Sequence, residues 1–389
     1  MEIICSIIPE THSFQNLIDF YNCGMTSVRF NFSHADYDKT HAYIEFVRKC
    51  MPKVRIIQDL QGSKFRVSNL LYGEIRVNKY QSVYFCSEKS YLSNKTFNCS
   101  KVLIPISNLV DFSKIYGAKK IIMKDATMEF RLLRQVCNDE IIEATVIRGG
   151  IIRGEKGINI LGANVHSSEL TDKDKKDIEF GLISGVDVIS LSFTSSSKDL
   201  LCLKKFIKNF IKHSEATIKM PMICAKIETK EGIDNIQSIL RNADIIMLGR
   251  GDFYSEIDIL EVAALQEQII NFMKKSKKEF IIATYLLESM KNNEIPSISE
   301  ISALYNFLKS GVKSFMLVGE VTLSNNPVSI IRFLKSFYDN FKNPGSVQDI
   351  DCQSEDLEAE VINAYDMEQI SYDDDVNIEI ELGELIKDH

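Results

Sequence analysis

The chain has 389 residues, of which 45% are hydrophobic, and it carries a formal net charge of −8. That length and composition are enough for a large hydrophobic core and exceed the needs of one minimal domain. No apolar stretch is long enough to span a bilayer and no secretory signal is visible, so we expect a cytoplasmic protein with no membrane partner. The nine cysteines are an odd number without a C-x-x-C pair, which indicates reduced thiols.

The negative charge is concentrated after Asn343, and the lysine runs elsewhere fall on helical patterns. Such runs are typical of solvated helix faces, so nucleic acid is not an expected partner. The six histidines show no H-x-x-x-H spacing, which argues against a structural zinc site.

Taken in order, the chain alternates apolar strand-like runs with amphipathic helical segments. Strands are predicted at EIICSII, SVRFNFS and KVRIIQDLQG, and Gly24 is predicted to close the first helix. From about Val67 to Ile160, short alternating runs between turn residues predict a β-rich insertion. The alternation of strands and helices then resumes, with Thr171 and Ser297 as predicted helix N-caps.

Eight strands that are each followed by a helix predict an α/β fold, a (β/α)8 TIM barrel with a small β-rich lid domain inserted after strand three. The barrel is expected to occupy residues 1–66 and 161–341, and the lid residues 67–160. Residues 342–389 form an acidic segment that we expect to be at most partly ordered.

Polar side chains gather at the predicted strand ends, the face where barrel enzymes carry out their chemistry. In the stretch from Met220 to Phe253, Lys226 lies near Glu228 and Asp252, a set that suits a divalent metal beside an anionic group. The other polar residues at strand ends are Arg29, Asn31, Ser33, His34, Asp59, Gln61, Lys64, Arg66, Ser192, Arg250, Thr284 and Glu320. Each of these residues taken alone is more often a buried polar side chain whose hydrogen bonds are satisfied within the core. Together, their surplus of arginine and lysine predicts a phosphorylated or carboxylated substrate.

Several segments follow one another in a characteristic order: ICSIIPET, VRFNFSHAD, QDLQGSKFRV, GEKGINILG, LTDKDKKDIEFGLISGVDVISLSF, AKIETKEGIDN, GRGDF, ATYLLESM and MLVGE. In these segments the chain resembles the pyruvate kinase family, over residues 1 to about 341. The resemblance implies transfer of a phosphoryl group from phosphoenolpyruvate to ADP in glycolysis, giving pyruvate and ATP. It also implies Mg²⁺ or Mn²⁺ as a cofactor.

The resemblance assigns roles to the residues at the strand ends. The implied catalytic residues are Lys226, Thr284 and Arg29. The implied substrate-binding residues are Lys226, Gly251, Asp252, Thr284 and Ser192. The implied nucleotide-binding residues are Asn31, His34, Arg66, Lys156 and Asp125. The implied Mg²⁺ ligands are Glu228 and Asp252, and the implied monovalent-cation region consists of Asn31, Ser33 and Asp59.

The run from Asp59 to Lys64 reads DLQGSK, where K⁺-dependent members of the family read D-T-K-G-P-E. It resembles the K⁺-independent branch, so the Lys64 ammonium is expected to supply the charge and K⁺ is expected not to be required. The alternative is that Lys64 is a surface lysine without a role in the site.

Some residues depart from the family pattern. Val318 replaces a serine of the proton-delivery region, Tyr254 stands at the glycine of RGDLG, and Tyr285 stands at the glutamine of ATQ. The acidic segment 342–389 stands where the family carries a C-terminal domain that binds allosteric effectors, so such regulation is expected to be absent.

Three hypotheses are therefore open. The first is an active pyruvate kinase. The second is a weakly active or inactive subunit that stabilises or regulates an active paralogue. The third is a phosphotransferase that uses the same donor with another acceptor. Expected partners are phosphoenolpyruvate and ADP, together with further copies of the chain or a pyruvate kinase paralogue in an oligomer.

Overall fold

The structure is a computed structural model. It describes residues 1–33, 35–62, 64–93, 101–107, 115, 117–123, 127–136, 141–161, 170–257 and 259–343.

The first part of the chain alternates strands and helices. Its elements are β1 (Glu2–Ile7), α1 (Phe14–Cys23), β2 (Ser27–Asn31), α2 (Tyr37–Cys50) and β3 (Arg55–Asp59). A capping box at Ser13 begins α1, and Gly24 ends it with a φ of 116°. That left-handed conformation favours glycine, so the predicted helix end is confirmed.

A group of short strands follows β3. Its elements are β4 (Phe65–Val67), β5 (Glu74–Val77), β6 (Ser82–Ser87), α3 (Glu88–Ser93), β7 (Leu103–Ser107), β8 (Lys120–Met123), β9 (Met128–Val136), β10 (Ile141–Arg148), β11 (Gly150–Arg153) and β12 (Gly157–Leu161). Seven of the strands close into a small barrel in the order β10-β6-β7-β4-β12-β8-β9, while β11 pairs with β5. The small barrel has its own apolar core, in which Phe85 and Phe130 pack edge to face.

The alternation resumes after β12. The elements are α4 (Asp172–Ile183), β13 (Val188–Leu191), α5 (Ser197–His213), β14 (Met222–Ile227), α6 (Lys230–Asp234), α7 (Ile236–Asn242), β15 (Ile245–Gly249), α8 (Arg250–Glu256), α9 (Val262–Lys274), β16 (Glu279–Ala283), a 3₁₀ helix (Glu288–Lys291), α10 (Ile298–Lys309), β17 (Ser314–Leu317), α11 (Gly319–Thr322) and α12 (Pro327–Lys342). Thr171 and Ser297 both form capping boxes, which confirms the two predicted N-caps.

Eight parallel strands of the described chain close into the main barrel, in the order β1-β17-β16-β15-β14-β13-β3-β2. The barrel closes where β1 pairs with β17, with Glu2 opposite Ser314. Helices pack around the strands, and residues such as Ile57 and Met247 fill the barrel interior. The predicted (β/α)8 barrel is therefore confirmed, and the carboxyl ends of its strands meet at one face.

In the run DIIMLGRGD, β15 ends at Gly249 and Arg250 begins α8, so Asp252 lies on a helix. The acidic segment beyond residue 343 lies outside the described residues. Within the described part of the chain, no helix combines the length and apolar character needed to cross a membrane.

Candidate active site

Lys226 lies at the carboxyl end of β14, buried among polar side chains from neighbouring strands. Its Nζ donates to Ser192 Oγ at 2.8 Å and lies 3.1 Å from Glu228 Oε1 and 3.3 Å from Asp59 Oδ2. Burial alone would lower the pKa of Lys226, but the carboxylates of Asp59 and Glu228 outweigh burial and raise it. The side chain is therefore a fixed positive charge at the mouth of the barrel.

Arg29, from β2, is the second cation of this cluster. Its Nε donates to Asp59 Oδ2 at 3.0 Å, Nη2 donates to the same oxygen, and Nη1 donates to Ser6 Oγ at 2.8 Å. Burial would raise the pKa of Asp59, which is 1% exposed, but the charges of Lys226 and Arg29 lower it. Asp59 thus stays ionised and orients both cations. The role of Ser6 was not predicted, because a serine inside an apolar strand gives no signal of its own.

Glu228, immediately after β14, is held from two sides. Its Oε2 accepts a hydrogen bond from the Phe193 backbone N–H at 2.9 Å, and its Oε1 lies so close to Gly249 that a Cβ there would stand 2.4 Å away. Only glycine leaves room for the carboxylate. Burial raises the pKa of Glu228; the Lys226 ammonium opposes this rise, and the carboxylate of Asp252 adds to it.

Asp252 is the second predicted metal ligand, and it forms an ion pair with Lys64. The Lys64 ammonium also lies 5.3 Å from the centre of the Phe193 ring. A Cβ at Gly157 would stand 2.6 Å from Lys64 Cε, so the small barrel approaches this side chain closely. The structure thus brings Lys64 to Asp252, one of the two implied Mg²⁺ ligands.

A cavity of about 340 Å³ separates α8 from the small barrel. Its lining residues are Lys64, Arg66, Ile122, Met123, Glu155, Lys156, Gly157, Asn159, Asp252 and Ser255. Three of these side chains are cationic, and burial lowers the pKa of Arg66, whose Nη1 donates to the Glu155 carbonyl at 2.8 Å. Sequence reasoning missed Asn159, which is 5% exposed and whose Nδ2 has no partner among the described residues. Donors of this kind suit the oxygens of a phosphate chain.

Thr284 follows β16 and lies beside Gly251. Its Oγ1 is 3.7 Å from the point where a Cβ on Gly251 would stand, and it donates to the Ala283 carbonyl at 2.6 Å. The backbone of Thr284 has a φ of 68°, in the left-handed region. Arg250, one of the polar residues predicted at the strand ends, uses its guanidinium to donate to the carbonyls of Thr284 and Tyr285.

The end of β2 carries the monovalent-cation region that the family resemblance implies. Asn31 is paired in register with Asp59, and its Oδ1 accepts a hydrogen bond from the Ser33 backbone N–H at 3.2 Å. His34 and Asp125, predicted to bind the nucleotide, lie outside the described residues.

Val318 and Glu320 follow β17. Glu320 is 0% exposed and accepts hydrogen bonds from the backbone N–H groups of Leu286 at 2.8 Å and Val318 at 2.9 Å. It therefore fixes two strand-end loops rather than facing the mouth. The Val318 side chain packs against the apolar barrel interior.

The donor set at the mouth fits a hard divalent cation. The candidate ligands of such an ion are the carboxylates of Glu228 and Asp252. Within the described residues, no group of three or more His, Cys, Asp and Glu side chains could hold a metal ion. Mg²⁺ is commonly bound by one or two carboxylates with the remaining positions filled by water and substrate oxygens. Burial and, to a smaller extent, the Asp252 carboxylate raise the pKa of Glu228, and such an ion would favour the ionised form of both side chains.

Comparison with known proteins identifies the family of the chain. A family model described as the barrel domain of pyruvate kinase matches residues 1–331. The chain belongs to the pyruvate kinase family. The pyruvate kinase of Clostridium perfringens is 31% identical over 331 residues, covering 84% of this chain and 67% of the relative. That of Geobacillus stearothermophilus is 30% identical over 335 residues, covering 85% of this chain and 55% of the relative.

A solved structure agrees with the fold of this pyruvate kinase family member. The crystal structure of a pyruvate kinase from Cryptosporidium parvum matches it with a TM-score of 0.77 at 25% sequence identity, covering 89% of this chain and 70% of that one. The chain nevertheless spans little more than half the length of some curated relatives.

Proposed function

We propose that the chain is a phosphotransferase that moves the phosphoryl group of phosphoenolpyruvate to ADP. The observation that carries the proposal is the buried Lys226 ammonium. The side chains of Ser192, Glu228 and Asp59 all lie within 3.3 Å of its Nζ. Such a fixed charge suits a reaction whose transition state spreads negative charge over transferred phosphoryl oxygens.

In the proposed reaction, the bond from phosphorus to the enol oxygen of phosphoenolpyruvate breaks, and a bond from phosphorus to a β-phosphate oxygen of ADP forms. Lys226 and Arg29 stabilise the phosphoryl oxygens during this transfer. The enolate that remains takes up one proton, which comes ultimately from the solvent, at its methylene carbon and becomes pyruvate, so atoms and charge balance. The positioning of both cations by Asp59 means that little reorganisation is needed during the step.

Glu228 and Asp252 would hold the divalent ion. Bound there, Mg²⁺ or Mn²⁺ would supply positive charge to substrate oxygens. Lys64 forms an ion pair with Asp252 and so brings a fixed positive charge to the site. This charge supports the expectation that K⁺ is not required. In this proposal, Asn31, Ser33 and Asp59 form the neighbouring region in which K⁺-dependent relatives would need that cation.

The remaining residues bind the two substrates. The substrate carboxylate is proposed to lie at Gly251, Asp252 and the Thr284 hydroxyl, with Thr284 close to the enolate carbon that is protonated. Arg66 and Lys156 are proposed to face the phosphates of the nucleotide, because both line the cavity of about 340 Å³. His34 and Asp125 complete this set by family resemblance.

The insertion at residues 67–160 is proposed to act as a lid that closes over the cavity and excludes water, which would otherwise accept the phosphoryl group. A cytoplasmic location and assembly with further copies or with a paralogue are parts of the same proposal. The described cysteines are free thiols, in keeping with a reducing compartment.

A coupled assay with phosphoenolpyruvate, ADP and Mg²⁺ tests the proposal. Pyruvate formation by the purified full chain, with and without K⁺, is expected. A folded chain that makes no pyruvate under these conditions would refute the activity. Replacing ADP with other nucleoside diphosphates or sugars tests whether the acceptor is different.

A second function, a weakly active or inactive subunit that regulates a paralogue, is favoured by one observation. Val318 contributes an apolar side chain to the barrel interior where the family pattern has a serine hydroxyl. Co-expression with a full-length pyruvate kinase, followed by native mass measurement, distinguishes the two. A mixed oligomer without turnover by this chain alone would support the second function.

A further inference from the structure

The segment that follows β16 begins with a turn of unusual backbone conformation. Thr284 has a φ of 68° and Tyr285 a φ of 53°. Two successive non-glycine residues in the left-handed region are costly unless neighbouring groups hold them there. Thr284 is also the residue whose hydroxyl lies beside Gly251.

Arg250 is the first group that holds this turn. Its Nε donates to the Thr284 carbonyl at 3.0 Å, and its Nη2 donates to the Tyr285 carbonyl at 2.6 Å. The guanidinium is 5% exposed and lies 5.3 Å from the centre of the Phe307 ring. A buried arginine with these bonds links the start of α8 rigidly to the turn.

An aromatic stack is the second group that holds this turn. The rings of Tyr254 and Tyr285 lie 5.6 Å apart between centroids and are parallel within 4°. This is an offset stack of the favourable kind. Burial lowers the pKa of Arg250, and the neighbouring Tyr254 side chain opposes this effect, so the ring pair and the guanidinium lie side by side.

The stack consists of two residues that depart from the family pattern, which has glycine and glutamine at these positions. They are separated in the sequence, but they follow β15 and β16, which are neighbouring strands of the barrel, so their rings meet at adjacent strand ends. The two departures from the family pattern are therefore in contact with each other. Such a contact is expected if the two residues act together to hold the turn.

We propose that Tyr254 and Tyr285 are positioning residues that keep the Thr284 hydroxyl at the substrate carboxylate. The inference rests on the proposed function, because the carboxylate is that of phosphoenolpyruvate. Neither tyrosine is among the residues that line the cavity containing Arg66 and Lys156. The influence of the pair should therefore reach the phosphoenolpyruvate side of the site and spare the nucleotide side.

Calorimetric binding of phosphoenolpyruvate and, separately, of ADP to the full chain with Mg²⁺ tests this. Tyr285→Leu removes the stack, and we expect about a three- to tenfold rise in the Kd for phosphoenolpyruvate with an unchanged Kd for ADP. Tyr285→Phe retains the ring and should bind phosphoenolpyruvate with the wild-type Kd. The matched control is Tyr21→Leu, since Tyr21 is 40% exposed on α1, outside the site and the proposed lid, and it should change neither Kd.

Tyr254→Leu attacks the same stack from the other side and serves if Tyr285→Leu does not fold. The double variant should weaken phosphoenolpyruvate binding no further than either single change, because one contact cannot be lost twice. Additive effects, an equal loss of ADP affinity, or unchanged phosphoenolpyruvate binding would each overturn the positioning role alone. A wild-type chain that binds no phosphoenolpyruvate would overturn the proposed function and this inference with it.

Discussion

Replacing Lys226 with methionine separates the electrostatics of the site from its contribution to folding. The change keeps most of the apolar stem and removes an ammonium that lies 3.1 Å from Glu228 and 3.3 Å from Asp59. At an effective dielectric constant of about 20, each ion pair is worth roughly 5 kcal/mol before desolvation. Desolvation offsets much of this, so we expect a net loss of about 3 kcal/mol in unfolding free energy. Proton uptake by Glu228, whose pKa is already raised, limits the loss.

Turnover should fall by at least about a hundredfold, the usual effect of deleting one preorganised charge-stabilising group. Urea unfolding and the coupled phosphoenolpyruvate–ADP assay are measured in parallel. Lys175→Met is the matched control, because Lys175 pairs with Asp172 on the exposed face of α4. The double variant Lys226→Met/Glu228→Gln removes the uncompensated carboxylate, so it should regain stability but not turnover. Turnover within tenfold of wild type in Lys226→Met would refute the assigned role.

Three further changes test other parts of the site. Lys64→Glu places a carboxylate beside Asp252 and should lower turnover while making it respond to K⁺; equal rates in KCl and NaCl would contradict the charge-substitution hypothesis. Val318→Ser should raise turnover several-fold, if a hydroxyl speeds proton delivery, at a cost of about 1–2 kcal/mol in stability; a falling rate would exclude that reason. Burial raises the pKa of Glu256 to about 8, with the Asp252 charge adding to the effect. The folded chain therefore keeps a proton that the unfolded chain loses near pH 4.5, so unfolding free energy should fall from pH 5 to 8. Glu256→Gln should flatten that slope in metal-free urea titrations, and an unchanged slope would assign it to other groups.

Local patterns were sufficient to predict the barrel. The alternation of runs marked each strand, and residues such as Gly24, Thr171 and Ser297 marked helix ends through bonds to atoms a few positions away. Because parallel strands end at one face, the positions of Lys226 and Glu228 followed from the same pattern.

The contacts between loops were not predictable in this way. The pairing of Lys64 with Asp252 depends on how closely the small barrel approaches α8. The hydrogen bonds of Arg250 to backbone carbonyls depend on the left-handed turn at Thr284. A left-handed threonine has no signal in composition or periodicity, since the conformation is imposed by neighbours distant in sequence.

The pairing of β1 with β17 has a consequence for synthesis of the chain. As the protein leaves the ribosome, β1 finds one neighbour early, in β2, but its other edge stays unpaired until Ser314–Leu317 emerges. Until then the nascent barrel is an open sheet with two exposed edges, the state in which strands pair with the wrong partner. Across this seam Glu2 accepts a hydrogen bond from Ser314 of β17, and on the other side of β1 it forms an ion pair with Arg55 of β3, so a side chain of the first barrel strand helps to close the ring onto the last. Interrupted synthesis would therefore yield aggregating fragments rather than smaller barrels.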